Sequence, residues 1–226
     1  MKLHGIKTAS SNEQFVQERR EQIVKSATRL FARKGYDQTT MKDIGKVCNM
    51  TPANLYNYIG KKDDLVTLVI RNNYSRIYTF TRELEDDIEK LEPVQALLSA
   101  TEKHLRMHDQ YRANTYFVTR DFNSFRPSIK LLIIESSDLI ESLFEKIIVK
   151  GRDAGVFTAE DPWLIARNIM SMGLMWSLHY PMYSKKYNID QYVNQQKEHV
   201  LRLVCCKEDV TQKRQPYQVA ATTNTS

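Results

Sequence analysis

Two short helices with explicit start signals, separated by a three-residue turn, constrain this chain more than any other feature. They lie in TTMKDIGKVCNMTPANLYNYIGKKDDL, residues 39–65. Thr40 is an N-cap with Asp43 at the third helical position, and Met41, Ile44 and Val47 or Cys48 recur at helical spacing. Cys48-Asn49-Met50 closes that helix, since Asn tolerates the left-handed backbone a tight turn needs. Thr51-Pro52 restarts helix: the hydroxyl caps orphan amides and Pro suits the first helical position. From Pro52 to Ile59 only Leu55 and Ile59 turn inward. Pro52, Ala53, Tyr56, Asn57 and Tyr58 are therefore left for something outside. A third helix opens at Lys62. The layout is a helix-turn-helix whose second helix can enter a DNA major groove.

Charge agrees with that reading. The net charge is +6 over 226 residues, yet residues 1–65 hold twelve Lys/Arg against seven Asp/Glu while the remainder holds twenty-one against twenty. A basic head on a nearly neutral body is what phosphate binding asks of one part only. The three cysteines, 48, 205 and 206, have no metal-like spacing and suit a reducing cytoplasm. No signal peptide is readable, and the longest uncharged run, 168–184, contains Asn, His, Pro and Ser, which suits a buried or dimer-facing helix better than a membrane span.

Helices follow nearly end to end, and the fold class is all-α. The pattern predicts helices over 13–34, 40–47, 52–59, 62–91, 93–108, 111–123, 127–154, 162–183 and 189–205, with breaks at Pro, Gly and polar turns. Residues 1–12 read as a flexible arm, 13–61 as the DNA-binding unit, 62–206 as a larger helical unit, and 207–226, rich in Thr, Gln, Asn and Lys, as a disordered tail.

Residues 40–65 resemble the DNA-binding motif of the TetR family of transcriptional regulators. Thr40, Ile44, Leu55, Tyr56, Tyr58, Lys62 and Leu65 match it in register, and Ile23, Ala27, Leu30 and Phe31 form the matching face of the preceding helix. Asn49, Pro52, Ala53 and Ile59 depart from the family's usual residues. The resemblance implies an N-terminal three-helix head on a C-terminal helical domain that binds an effector and dimerises through its last two long helices. The run from Gly151 through Gly155-Val156-Phe157, Asp161-Pro162 and Ala166-Arg167 to Trp176 resembles the branch that answers to acyl-CoA or related CoA thioesters. Together the two resemblances imply a homodimeric repressor on a palindromic operator, released by a small apolar effector. The rivals are a drug-responsive repressor of an efflux pump and a DNA-binding protein without effector.

For DNA the candidate residues are Thr39, Thr40, Thr51, Pro52, Ala53, Tyr56, Asn57, Tyr58, Lys61 and Lys62. Tyr hydroxyls and Lys ammonium groups reach phosphate, and an Asn amide can pair bidentately with adenine. The plainer reading makes the tyrosines core aromatics and the threonines caps only. For the effector, Met and aromatic residues provide an adaptable lining and basic groups a polar rim: Arg106, His108, Tyr116, Phe117, Arg120, Met172, Trp176 and His179. For the dimer, Ile169, Gly173 and Ser177 on one helix and Val193, Val200 and Val204 on the next form apolar stripes, with Gly173 and Ser177 permitting close approach. His104 and His108 sit four apart on one helix face, but no clear third metal ligand accompanies them apart from Asp109, which lies on another face. No catalytic constellation, metal site or cofactor motif emerges, so the chain reads as a regulator rather than an enzyme.

Overall fold

Breaks between helices fall where local chemistry places them. The computed structural model describes residues 13–205; the expected arm at 1–12 and tail at 207–226 lie outside the described residues. Helix α1 (Glu13–Lys34) ends at Gly35, whose φ of +95° a side-chain-bearing residue would resist. Helix α2 (Met41–Val47) carries the expected capping box: the Thr40 hydroxyl accepts from Asp43 N and the Asp43 carboxylate accepts from Thr40 N. Asn49 makes the turn with φ +53°. Helix α3 (Pro52–Tyr58) starts on the Thr51 cap, and α4 (Lys62–Lys90) is the long connecting helix.

Helix α5 (Pro93–Gln110) is followed at once by α6 (Arg112–Arg120) and a single 3-10 turn at Phe122–Ser124. Helix α7 (Pro127–Asp153) and α8 (Pro162–Leu178) each begin with Pro. A break at His179, expected as continuous helix, separates α8 from the one-turn α9 (Tyr180–Tyr183), and Pro181 in that turn explains it. Helix α10 (Ile189–Cys205) ends the described chain. The architecture is all-helical, and among the described residues no helix is long and apolar enough to cross a membrane.

The head does not close its core on itself. Ile23, Phe31, Ile44, Leu55 and Leu65 are fully or almost fully buried, and their cluster continues into Phe117, Phe125 and Ile129 from α6, the 3-10 corner and α7. Phe31 stacks on Phe117 with ring centroids 4.9 Å apart, and Phe117 meets Phe125 edge-on at 5.5 Å. A second cluster joins α4, α5, α7, α8 and α10 around Leu84, Leu97, Phe144 and Ile147. A third, around Leu105, Trp176 and Tyr192, ties α8 and α10 to α5. Any strain in α6 or α4 is thus felt in the head.

Candidate DNA-binding surface and effector cavity

Helix α3 presents Pro52, Ala53, Tyr56 and Asn57 outward, all exposed, while Leu55 and Ile59 are fully buried beneath them. Asn54 shares the exposed face. Sequence reasoning missed it, although it lies three residues before Asn57 and therefore on the same side. Thr51 is exposed and accepts from Asn54 N at 3.2 Å, which leaves its hydroxyl proton available. The Thr40 hydroxyl donates to Asp43 at 2.7 Å, and Asp43 is also paired with Lys34 at 2.7 Å. Those partners, Lys34 first, hold the Asp43 carboxyl well below the usual range.

Three of the expected DNA contacts are placed differently. Thr39 is buried and its hydroxyl donates to Gly35 O at 2.6 Å, so it stitches the α1–α2 loop and does not face outward. Tyr58 is half-buried against the head's core, and its carbonyl accepts from Arg20 Nε at 3.1 Å. Lys62 donates its ammonium to Tyr36 O at 2.9 Å and sits 4.2 Å from the centre of the Tyr36 ring. That anchors the start of α4 to the α1–α2 loop. Lys61 is the exposed basic residue at this helix end.

In the larger domain a cavity of about 350 Å3 opens between α4, α5, α6, α7 and α8. Ile70 and Ile77 of α4, Met107 and His108 of α5, Val118 of α6, Ile133 and Ile140 of α7, and Met170 and Leu174 of α8 give it an apolar body. Polar groups punctuate the wall: Asn114, Thr115, Ser136, Ser137, Glu141 and Arg167 among them. Arg167 donates to Glu141 Oε2 at 2.6 Å; the Arg side chain is half-exposed and the Glu side chain 90% enclosed. The Arg167 guanidinium lies 5.3 Å from the Trp163 ring centre.

Residues 23–69 match the bacterial regulatory proteins of the tetR family, and residues 90–178 match a tetracyclin repressor-like C-terminal domain. The chain belongs to the TetR family. It is 27% identical over 192 residues to the HTH-type transcriptional regulator HbdR of Aromatoleum sp. (strain CIB), across 84% of this chain and 82% of that protein. A tetR-family regulatory protein from Rhodococcus RHA1 shares the fold with a TM-score of 0.71 at 22% identity, over 84% of this chain and 99% of that one. FadR from Bacillus subtilis, solved with stearoyl-CoA, does so with a TM-score of 0.64 at 18% identity, over 81% and 98%. Members of this family are transcriptional regulators, and this chain is one.

Within this TetR-family fold, only His108 of the eight expected effector residues lines the cavity. Arg106 is on the surface, paired with Glu102 and Asp190 at 2.9 and 2.8 Å. Trp176 is buried in the third cluster with Nε1 donating to Asp109 at 2.8 Å, and Met172 packs beside it. His179 caps the last turn of α8, outside the cavity. Phe117 is spent on the head, and exposed Tyr116 lies near Arg120, whose guanidinium is 5.1 Å from its ring centre. Helical periodicity marks a residue as apolar without saying which packed face it serves.

Arg120 has the most consequential placement. Its guanidinium donates to Phe31 O at 2.5 Å and Ala32 O at 2.8 Å, in the last turn of α1, and pairs with Asp121 at 2.8 Å. Asp121 in turn accepts from Tyr36 N at 2.7 Å. Burial works against the Asp121 charge, but the bonds from Arg120 and Tyr36 outweigh it and hold the carboxyl below its ordinary range. Ser124 donates to Asp37 at 2.7 Å and Arg126 to Thr67 at 2.8 Å. The corner after α6 is therefore clasped to the head, while the other side of α6 walls the cavity.

The six residues expected at the dimer interface are all inside the subunit. Ile169, Val193, Val200 and Val204 are at most 1% exposed, and Ser177 donates to His108 O at 3.1 Å. Gly173 faces α5: a Cβ built there would run into the His108 ring and come within 2.8 Å of His104 Nε2. The small residues do permit close approach, but to two histidines of the same chain.

His104 is fully buried and His108 half-buried at the cavity wall, and both are neutral. Burial drives His104 down to about 4 despite its contact with Met170 O at 3.3 Å, and burial followed by neighbouring His104 drives His108 well below its ordinary value. Folding thus removes protons that the unfolded chain would bind below about pH 6.5. Stability falls as pH drops from there toward about 4, because the unfolded state then binds more protons than the native state. Urea unfolding midpoints from about pH 8 to about pH 4.5 check this. The fall should be smaller in His104→Gln than in the wild type, and an equal fall in both would remove His104 from the account.

Proposed function

We propose that this regulator is a ligand-responsive repressor that binds a palindromic operator as a homodimer. An effector with an apolar body, of the acyl-CoA or related CoA thioester class, releases it. The observation that carries the reading is one cavity shared by two levers: α4, which runs into the head, and α6, whose far end is clasped to α1. A cavity of about 350 Å3 suits an acyl group and leaves a nucleotide head at the mouth. There Arg167 takes the role that Arg106, Arg120 and His179 were expected to fill. The fold likeness to a regulator solved with stearoyl-CoA supports the class. A cationic drug finds less here, because among the described residues the one carboxylate in the wall, Glu141, is already paired.

The dimer reading rests on outward faces of the last two long helices. Leu164, Asn168 and Met175 lie on the side of α8 opposite its buried arc, and Gln191, Asn194 and Glu198 on that of α10. A symmetric pair of heads reads two half-sites about one helical turn apart or slightly more. Selection from random duplexes should therefore return an inverted repeat.

On such a site, Tyr56→Phe and Lys61→Ala are expected to weaken binding to all sequences, since both groups reach phosphate. Lys61→Ala should also lower the salt slope by about one unit. Fluorescence anisotropy across a salt series measures both. An unchanged slope and affinity for Lys61→Ala would take it off the contact surface.

A further inference from the structure

We propose that Ile70, Val118 and Ile133 form a stop at the head-side end of the cavity that reads the length of the effector. The ligand class narrows to straight acyl chains of about six to ten carbons. The inference rests on the effector reading above and deepens it.

Bonds near both ends of α4 and α7 give the cavity its direction. Arg126, just before α7, donates to Thr67 near the start of α4 at 2.8 Å. Lys150, near the end of α7, donates at 2.5 Å to Ile88 O, near the end of α4. The two helices therefore run side by side in the same direction, which sets Ile70 near the level of Ile133 and Ile77 near that of Ile140. Packing agrees. Ile70 belongs to the head's core cluster, and Val118 and Ile133 pack on it. Ile140 belongs to the second cluster, on which Ile77, Met107 and Met170 pack. All of them wall the cavity, and the Arg167–Glu141 pair stands at the end away from the head.

The distance between the two ends sets the chain. Along α7 the wall from Ile133 to Glu141 rises about 12 Å. A staggered hydrocarbon advances about 1.25 Å per carbon, so roughly six to ten carbons fit once the side chains at each end take their share. A thioester held at Arg167 sends its chain past Ile140, Met170 and Leu174 toward the stop. Each carbon buried on the way gains about 4-fold in affinity. Beyond the stop, a further carbon must push Ile70, Val118 or Ile133 into a close-packed core, which resists it. That core also holds Phe31, Leu65 and Phe117, so a chain long enough to touch the stop loads the joint between the domains.

The test is calorimetric titration of the full chain with saturated acyl-CoAs of two to sixteen carbons, with operator anisotropy run beside it. Affinity should rise about 4-fold per carbon to an optimum within about six to ten carbons and then fall. Weakening of operator binding should peak at that same length. Val118 and Ile133 are only half-buried, so Val118→Ala and Ile133→Ala are both expected to fold. Each should move the optimum longer by about two carbons, the space the truncation opens. Ile77→Ala, at the other end, should lower affinity for every chain and leave the optimum in place. Affinity that climbs through sixteen carbons, an optimum unmoved in both stop variants, or release that ignores length overturns the stop. Straight-chain fatty acids of the same lengths separate this result from the CoA reading, since their carboxylate can pair with Arg167. If only the acids bind, the CoA reading falls, and their optimum and its shift in Val118→Ala uphold or overturn the stop by the same criteria. If neither series binds, both readings fall.

Discussion

Phe117→Ala should destabilise the protein by about 3–5 kcal/mol, the cost of emptying a large, fully enclosed aromatic site. Phe117 is 0% exposed and lies between Phe31 of the head and Phe125 of the corner. The site cannot collapse readily, because Arg120 and Asp121 hold the same corner to α1 and Tyr36 through hydrogen bonds that need it in place. The consequence extends beyond stability. With the α6 contact loosened, the head keeps its own caps and the α3 face, so residual operator binding should persist in the folded fraction. The effect of an effector on that binding should shrink, since one of the two levers is slack. Chemical unfolding gives the first quantity and operator titration with and without ligand the second. A variant as stable as the wild type would mean that the Phe31–Phe117 stack contributes nothing to joining the domains.

Gly173→Val is expected to cost about 2–3 kcal/mol through overpacking. The nearest atoms are the His108 ring and His104 Nε2, both set in the core by Met170 O, Ser177 and Phe144. Neither ring can swing away without breaking one of those contacts. The gain in helix propensity on replacing Gly is at most about 1 kcal/mol and does not offset the clash. On the proposed dimer reading the folded variant keeps its subunit contact in sedimentation, and it should lose ligand affinity because His108 is part of the cavity wall. Loss of dimers at unchanged unfolding midpoint would instead put Gly173 at the subunit contact.

Gly173 also shows where sequence reading stops. A Gly and a Ser one turn apart on an apolar helix do announce a close neighbour, and there is one. The identity of that neighbour is a tertiary fact: α5 of the same chain presents His104 and His108 there, and no spacing within α8 encodes it. The head was legible because its signals are local. Thr40, Asp43, Asn49, Thr51 and Pro52 each act within four residues, and each is found in its expected role. Thr39, Tyr58 and Lys62 were misplaced because their partners, Gly35 O, the head's core and Tyr36, sit across a loop or on another helix. The cavity was the least legible part. Five helices wall it, and polar wall residues such as Asn114 and Glu141 look like ordinary helix surface until the packing encloses them.

Coupling between cavity and head is the central claim, and one titration tests it most directly. The full chain is titrated by fluorescence anisotropy onto its selected inverted-repeat operator, with and without a saturating CoA thioester shown to bind by calorimetry. A coupling of about 1–3 kcal/mol predicts that the ligand weakens operator affinity by about 5–150-fold. Bound ligand with operator affinity unchanged, in wild type and at every salt concentration, would contradict the account.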